Sequence, residues 1–340
     1  MKIAVDAMGG DYAPKVVIQG VAEAVRDYGL DILLVGDSYK IEEEIKKIKN
    51  FPRDKVKIIH TEEVVDMDDS PTASVRKKKN SSISVGINLI KSKEAEAFVS
   101  AGNTGAAVCA ATLYLGLLPG IERPGIAILF PTLKGISLVV DVGANIDPKP
   151  LHLLQYAIMA EAYYRYVLNH KDRPTVGLLN VGEEATKGTE FVKETHHLLS
   201  QSKLNFIGNV EGKEIFSGNC NIIVCDGYVG NVALKVTESV AEMLKELLRR
   251  AILRGVLGKI GTLLLIRNLK KFKKDLDYSE YGGAPLLGVN GVVIIGHGRS
   301  SSKAIKNAIR AAKTEVEHRV NEQIIDIVAQ QVTSAQNSPA

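Results

Sequence analysis

KIAVDAMGGDYAPKVVIQGVAEAVRDYGLDILLVG, residues 2–36, decides the fold class. Ile3 to Val5 reads as a short buried strand, DAMGGD as a glycine turn, Lys15 to Tyr28 as an amphipathic helix and Ile32 to Val35 as a second strand. The same alternation runs on through the chain. Strands are predicted at Val56 to Ile59, Ala97 to Ser100, Ile126 to Phe130, Leu138 to Asp141, Val176 to Leu179, Phe206 to Ile207 and Ile222 to Cys225. Amphipathic stretches lie at Ile41 to Lys49, Ser84 to Ser92, Leu151 to Leu168, Glu184 to Leu199 and Val232 to Arg250. A sheet between two helical layers follows, an α/β/α arrangement. The Leu133-Lys134-Gly135 turn between two strands reads as a hairpin, so the sheet is expected to be mixed.

The chain has 340 residues, 45% of them hydrophobic, enough to bury a large core. No solenoid repeat and no Pro/Gly/Ser linker divides it, so residues 1–333 are expected to form one α/β domain. A basic, apolar helical extension is expected at about 245–275, and Ser334 to Ala340 are expected to fray. A net charge of +4 without tryptophan or a nucleic-acid motif argues against a nucleic-acid partner. Cys109, Cys220 and Cys225 form no CxxC pair and read as reduced thiols of a cytosolic protein. Met1 and Lys2 lead straight into the first strand, which argues against an export signal, and no run of about 18 apolar residues predicts a spanning helix.

Five glycine-rich segments fall at predicted strand exits: DAMGGD (6–11), SAGNTGA (100–106), DVGAN (141–145), GNVEG (208–212) and CDGYVGN (225–231). Glycine lets the backbone turn sharply there, and a following helix aims unpaired N–H groups at an anion. Together they predict one anion-handling crevice. Gly9 and Gly10 are read as letting an anion approach the backbone, or else as a plain strand-to-helix turn. Asn103, Thr104 and Asn231 add side-chain donors at predicted helix starts, where capping is the alternative role.

These motifs, with GLLNVGEE and Lys187-Gly188, YGGAPLLG (281–288) and the His297-Gly298 turn, resemble in order and kind the PlsX family of bacterial phosphate acyltransferases. The resemblance covers nearly the whole chain. It implies an isocitrate/isopropylmalate dehydrogenase-like α/β/α fold, a homodimer, and transfer of a long acyl chain from acyl carrier protein to inorganic phosphate. It also implies a downstream membrane glycerol-phosphate acyltransferase as acceptor of the acyl phosphate. No metal or other cofactor is expected.

Phosphate is already a nucleophile at neutral pH and a thiolate leaves readily, so the missing GxSxG motif is consistent with the chemistry. The requirement is positioned charge and donors for the oxyanion. Lys187 reads from residues alone as a solvated lysine, but the family motif makes it the leading charged candidate, with Asn231 as amide donor. Asp6 and Asp11 read as turn-stabilising residues, with metal ligation the alternative; Asp141, Asn145 and Asp226 read as shaping the crevice. Asn180, Gly230 and His297 complete the expected phosphate-binding set, His297 with a structural role as its alternative.

Between Arg249 and Lys274 nine basic residues accompany a run of leucines and isoleucines without a single acid. Leu257, Lys259, Ile260, Leu263, Leu264, Leu265 and Arg267 there suit a peripheral contact with an anionic membrane face, and a dimer interface is the other reading. Arg76, Lys77, Lys78 and Lys79 suit the acidic carrier protein, or form an ordinary solvated helix face. Competing functions are a short-chain acyl-CoA phosphotransferase, a nonenzymatic membrane scaffold, and a nicotinamide dehydrogenase, whose GxGxxG turn with its acidic ribose contact is absent.

Overall fold

The computed structural model describes residues 1–169, 172–252, 264–269 and 282–336, with side chains as far as 329. The opening stretch folds as read: β1 (Lys2–Asp6), α1 (Lys15–Tyr28) and β2 (Asp31–Gly36) make a unit whose two strands pair in parallel. The alternation of side chains along a strand then divides the core. Ile3 and Val5 of β1 join Val17, Ile18 and Val21 of α1 on one face. On the other face Ala4, Leu33 and Val35 meet Ile83 and Ile87 of α4 (Ser82–Lys91) and Ala106, Ala107 and Ala110 of α5 (Thr104–Leu115). Helices therefore cover both faces and the architecture is the expected three-layer α/β/α sandwich.

Nine further strands complete one sheet: β3 (Val56–His60), β4 (Ala97–Ser100), β5 (Gly125–Thr132), β6 (Gly135–Val140), β7 (Thr175–Leu179), β8 (Asn205–Val210), β9 (Ile222–Val224), β10 (Ala284–Leu287) and β11 (Val292–Ile295). Their order is β3-β2-β1-β4-β11-β10-β5-β6-β9-β7-β8. The sheet is mixed, as the hairpin at residues 133–135 predicts, because β10 and the β5–β6 pair are antiparallel to their neighbours. These reversals make β6, β9, β7 and β8 run opposite to β1, β4 and β11. The turns that leave the two halves thus lie at opposite ends of the strands.

β10 and β11 are not among the sequence-read strands. β10 has four residues, and Pro285 argues against a central strand. It is tolerated because Ala284 and Pro285 pair only with β11, while Leu286 and Leu287 pair only with β5. GNVEG is likewise no simple strand exit: Gly208 lies inside β8, at a bulge where the register against β7 shifts. The helix expected from Glu184 begins later, as α7 (Glu190–Gln201), because Gly188 takes a φ of +92° and Thr189 Oγ caps from outside the helix.

α2 (Ser38–Lys46), α3 (Pro71–Lys77), α6 (Pro150–Tyr166) and α8 (Glu214–Ser217) pack around the sheet, and α9 (Gly227–Ile252) rises from the end of β9. Gly230, Ala233 and Leu234 of α9 face the core, while Tyr228, Val232, Val236, Val240, Leu244 and Leu248 keep a four-residue spacing on the outside. α10 (Ser302–Glu317) and α11 (Val320–Gln336) close the fold. α11 reaches into the stretch expected to fray, and residues 337–340 lie outside the described residues.

Candidate active site

The donors of the glycine turns are taken up by the turns' own side chains. Asp6, buried at the end of β1, accepts the Met8 N–H at 3.0 Å and the Ser100 hydroxyl at 2.7 Å, and Ser100 Oγ accepts the Gly102 N–H at 3.1 Å. A Cβ on Gly9 would overlap the Asp6 carboxylate and the Gly102 nitrogen, so glycine lets these two turns close on each other. Asp11 N donates to Gly298 O at 2.8 Å, which adds the turn after β11 to the same cluster. Gly10 packs against that same carbonyl and against Ala101.

DVGAN repeats the device at the opposite strand ends. Asp141, 0% exposed, accepts N–H groups from Ile126 (2.9 Å), Gly143 (3.0 Å), Ala144 (2.9 Å) and Asn145 (2.7 Å). Burial pushes the carboxyls of Asp6 and Asp141 upward, and the hydrogen bonds they accept pull the other way. Asn145 donates to Pro124 O and Tyr156 Oη, both at 2.7 Å, and its carbonyl accepts Gly227 N. Gly230 rests on the Asp141 carbonyl so closely that a Cβ there would overlap it.

The remaining polar members are also engaged. Asp226 Oδ1 accepts the Val229 N–H at 2.8 Å, so the negative charge at the start of α9 belongs to the chain itself. Asn103 caps α5 by accepting Ala106 N, and its amide donates to the carbonyls of Asp66, Met67 and Asp69. Pro71 packs against Gly105, so the start of α5 is covered and Thr104 is half-buried beneath that cover. Asn180 accepts Val181 N and donates to Lys187 O. The turns form two clusters, one after β1, β4 and β11 and one after β6 and β9, each filled by its own Asp or Asn side chains.

The Lys187 and Asn231 side chains, by contrast, have no hydrogen-bond or ion-pair partner among the described residues. Asn231 lies one turn into α9, exposed against Gly143, and is not the cap of that helix because Asp226 is. Lys187 extends from an exposed loop whose backbone is clamped by Asn180 N to Val210 O (2.8 Å), Asn209 Nδ2 to Glu184 O (2.9 Å) and the Lys213–Glu183 ion pair (3.0 Å). GNVEG therefore serves as the support of the Lys187 loop. The turns carrying Asn145, Asn231 and Lys187 leave β6, β9 and β7, which are parallel neighbours. In open α/β sheets the carboxyl ends of such strands are where ligands bind.

Sequence reading missed Lys235 and Glu238. Lys235 Nζ lies 3.1 Å from His297 Nε2 and 2.9 Å from Glu238 Oε2, and His297 Nδ1 accepts the Arg299 N–H. Burial raises the Glu238 carboxyl, but its hydrogen bonds with His297 and Lys235 hold it below the usual range. The available signal was helical spacing: 231, 235 and 239 share one face of α9. Asn231 and Lys235 border a groove of about 550 Å³ walled by Ile146, Tyr228, Val232, Val236 and Val240.

In the basic segment, Arg76, Lys77 and Lys79 are exposed, but Lys78 is turned inward to Val64 O and Asp69 Oδ2, both at 2.7 Å. Leu264, Leu265 and Arg267 are exposed, whereas Leu257, Lys259, Ile260 and Leu263 lie outside the described residues. No described helix is long and apolar enough to cross a membrane.

A mixed sheet between two helical layers, with polar groups gathered at the carboxyl ends of parallel neighbours, defines a three-layer α/β/α protein. A phosphotransacetylase from Streptococcus pyogenes shares this fold with a TM-score of 0.63 at 19% identity, over 93% of this chain and 94% of that one. A 4-hydroxythreonine-4-phosphate dehydrogenase from Klebsiella pneumoniae shares it at 0.55 and 13% identity, over 94% and 99% of the two chains. Sequence is more specific: residues 1–323 match the family model described as "Fatty acid synthesis protein". A phosphate acyltransferase of Geobacter sulfurreducens is 48% identical over 98% of this chain and 96% of its own length. This chain belongs to that phosphate acyltransferase family, the PlsX family.

Proposed function

We propose that the protein transfers a long-chain acyl group from acyl carrier protein to inorganic phosphate, yielding acyl phosphate for phospholipid synthesis. A phosphate oxygen attacks the thioester carbonyl, the carbon–sulfur bond breaks, and the carrier leaves as a thiolate that takes its proton from water. Lys187 holds phosphate or faces the developing oxyanion, and Asn231 donates its amide to the same charge. The observation that carries this reading is the pair of unpaired donors on neighbouring strand exits, Asn231 at the border of an apolar groove. Covalent relay through a cysteine is disfavoured by the same surroundings: burial pushes the Cys220 thiol up to about 12 and the Cys225 thiol well above its ordinary value.

Three further parts of the proposal concern partners. Arg76, Lys77 and Lys79 meet the acidic carrier by charge complementarity, without Lys78. Met243, Leu244, Leu247 and Leu248, all exposed on the outer half of α9, support a homodimer. Exposed Leu264 and Leu265 with Arg267 support a peripheral membrane contact on the cytoplasmic side, near the glycerol-phosphate acyltransferase that consumes the product. The test of the activity is direct. Full-length protein is mixed with acyl-carrier thioester, with and without phosphate, and acyl phosphate and free thiol are followed. Release that does not depend on phosphate defeats the proposal, and activity only with short acyl-CoA donors replaces it with the short-chain reaction.

A further inference from the structure

Three side chains from two distant parts of the sequence meet where α9 passes the turn after β11. Lys235 Nζ lies 2.9 Å from Glu238 Oε2 and 3.1 Å from His297 Nε2, and Glu238 Oε2 lies 3.5 Å from the same ring nitrogen. The ring is fixed from its other side. His297 Nδ1 accepts the Arg299 N–H at 3.1 Å and His297 O accepts the Ser300 N–H at 2.9 Å, so the turn holds the imidazole in one orientation. With Nδ1 acting as acceptor, the ring hydrogen sits on Nε2. The ammonium of Lys235 has three donors and no acceptor. Two donors therefore stand 3.1 Å apart without being able to bond each other, and what they share is one carboxylate oxygen of Glu238.

We infer that Lys235 and His297 bind the phosphate that accepts the acyl group, and that Glu238 is the positioning residue that holds the Lys235 ammonium for it. The inference rests on the acyl-transfer reading above and assigns its phosphate to two side chains. A solvated i,i+3 ion pair is the competing account of Lys235 and Glu238, and two observations speak against it. The Glu238 side chain is 16% exposed and that of Lys235 55%, so the acceptor is the sheltered partner and the ammonium the open one. The third group is an N–H donor brought in from another element, which adds to the field of the ammonium where a plain ion pair would only cancel it. Phosphate carries several acceptor oxygens, so it can take both donors and still present one oxygen to the thioester. Backbone donors of the neighbouring turns are spent on Asp6 and Asp141, which leaves this charge to side chains. Asn231 stands four residues earlier on the same helix face, about 6 Å along the axis, within one substrate's reach of the phosphate.

Lys235→Met in the full-length protein tests this, since it keeps the stem and removes the charge. Inorganic phosphate is the probe, and broadening of its phosphorus NMR line supplies a readout that needs no turnover. Lys235→Met is expected to weaken phosphate binding by roughly tenfold or more and to raise the KM for phosphate likewise, with the KM for the acyl-carrier thioester within about twofold of the unaltered protein. Glu238→Gln is expected to raise the KM for phosphate by about threefold, and to add no further rise to Lys235→Met, because it acts through the ammonium. If the unaltered protein transfers no acyl group yet loses phosphate binding on Lys235→Met, the function fails and the phosphate assignment stands. Unchanged phosphate binding and KM in a folded Lys235→Met overturn the assignment and leave a surface ion pair. A rise confined to the KM for the carrier thioester also overturns it and gives Lys235 to the acidic carrier.

Discussion

Lys235 of α9 meets His297, the residue that opens the turn after β11, with Nζ 3.1 Å from Nε2. The contact joins the two turn clusters. On one side stand Asp141 and Asn231; on the other, Gly298 accepts Asp11 N and so connects with the Asp6 turn. Glu238 completes the join, 2.9 Å from Lys235 and 3.5 Å from His297.

Removing the imidazole should therefore act on the site more than on the fold. Lys235 is more than half exposed, and an ion pair so placed contributes at most about 1 kcal/mol. His297→Ala is expected to leave Tm within a few degrees. It should raise the KM for phosphate more than it lowers kcat, since Glu238 loses its contact with His297 and is left to set the position of the Lys235 ammonium alone. Steady-state kinetics at varied phosphate, beside a thermal melt, check both halves.

Glu315 predicts a pH dependence of stability. It is 4% exposed, touches Tyr163, and leaves Oε1 without a partner, and burial pushes its carboxyl up to about 8. The folded protein then keeps a proton that the unfolded chain loses near its ordinary value of 4.5. Stability contributed by this group is complete below about 4.5, falls as pH rises toward 8, and levels off above. Glu315→Gln should match the unaltered protein at pH 5 and exceed it at pH 8 by on the order of 3 kcal/mol. Urea unfolding at the two pH values decides the matter, and an equal difference at both contradicts it.

Gly230→Ala should be among the most damaging small substitutions. Its methyl group would enter the carbonyl of Asp141, backbone that is itself fixed by the bonds gathered on the Asp141 side chain. Overpacking against immovable backbone costs about 3 kcal/mol or more. Gly29→Ala is a contrast of a different kind, because nothing stands within 4 Å of the added atom and only the backbone φ of 66° opposes it. A melt of both variants should place Gly230→Ala well below Gly29→Ala.

The β1-α1-β2 unit was legible because its periods are local and its apolar runs are bounded by glycine. All nine strands read from sequence are present, and the hairpin at Leu133 forced the correct mixed sheet. β10 escaped because Pro285 argues against any strand until its divided pairing is seen. The site was harder for a physical reason. Glycine turns advertise free N–H groups, but whether Asp6 or Asp141 folds back to accept them depends on side-chain direction. Lys235 and His297 are 62 residues apart, so their contact is purely tertiary.

Lys187 and Asn231 make the last prediction the sharpest. Neither side chain has a hydrogen-bond or ion-pair partner among the described residues, so truncation to Ala removes no internal bond and should leave Tm unchanged within about 1 °C. If each donates to charge that develops on the thioester oxygen or the phosphate, kcat should fall by roughly 100-fold to 1,000-fold, the loss seen when one such donor is removed. Lys187→Arg keeps the charge but not the point geometry of an ammonium, so it should recover only part of that loss. A folded variant with full turnover would remove that residue from the chemistry and pass its role to Lys235, the cation one turn beyond Asn231 on α9.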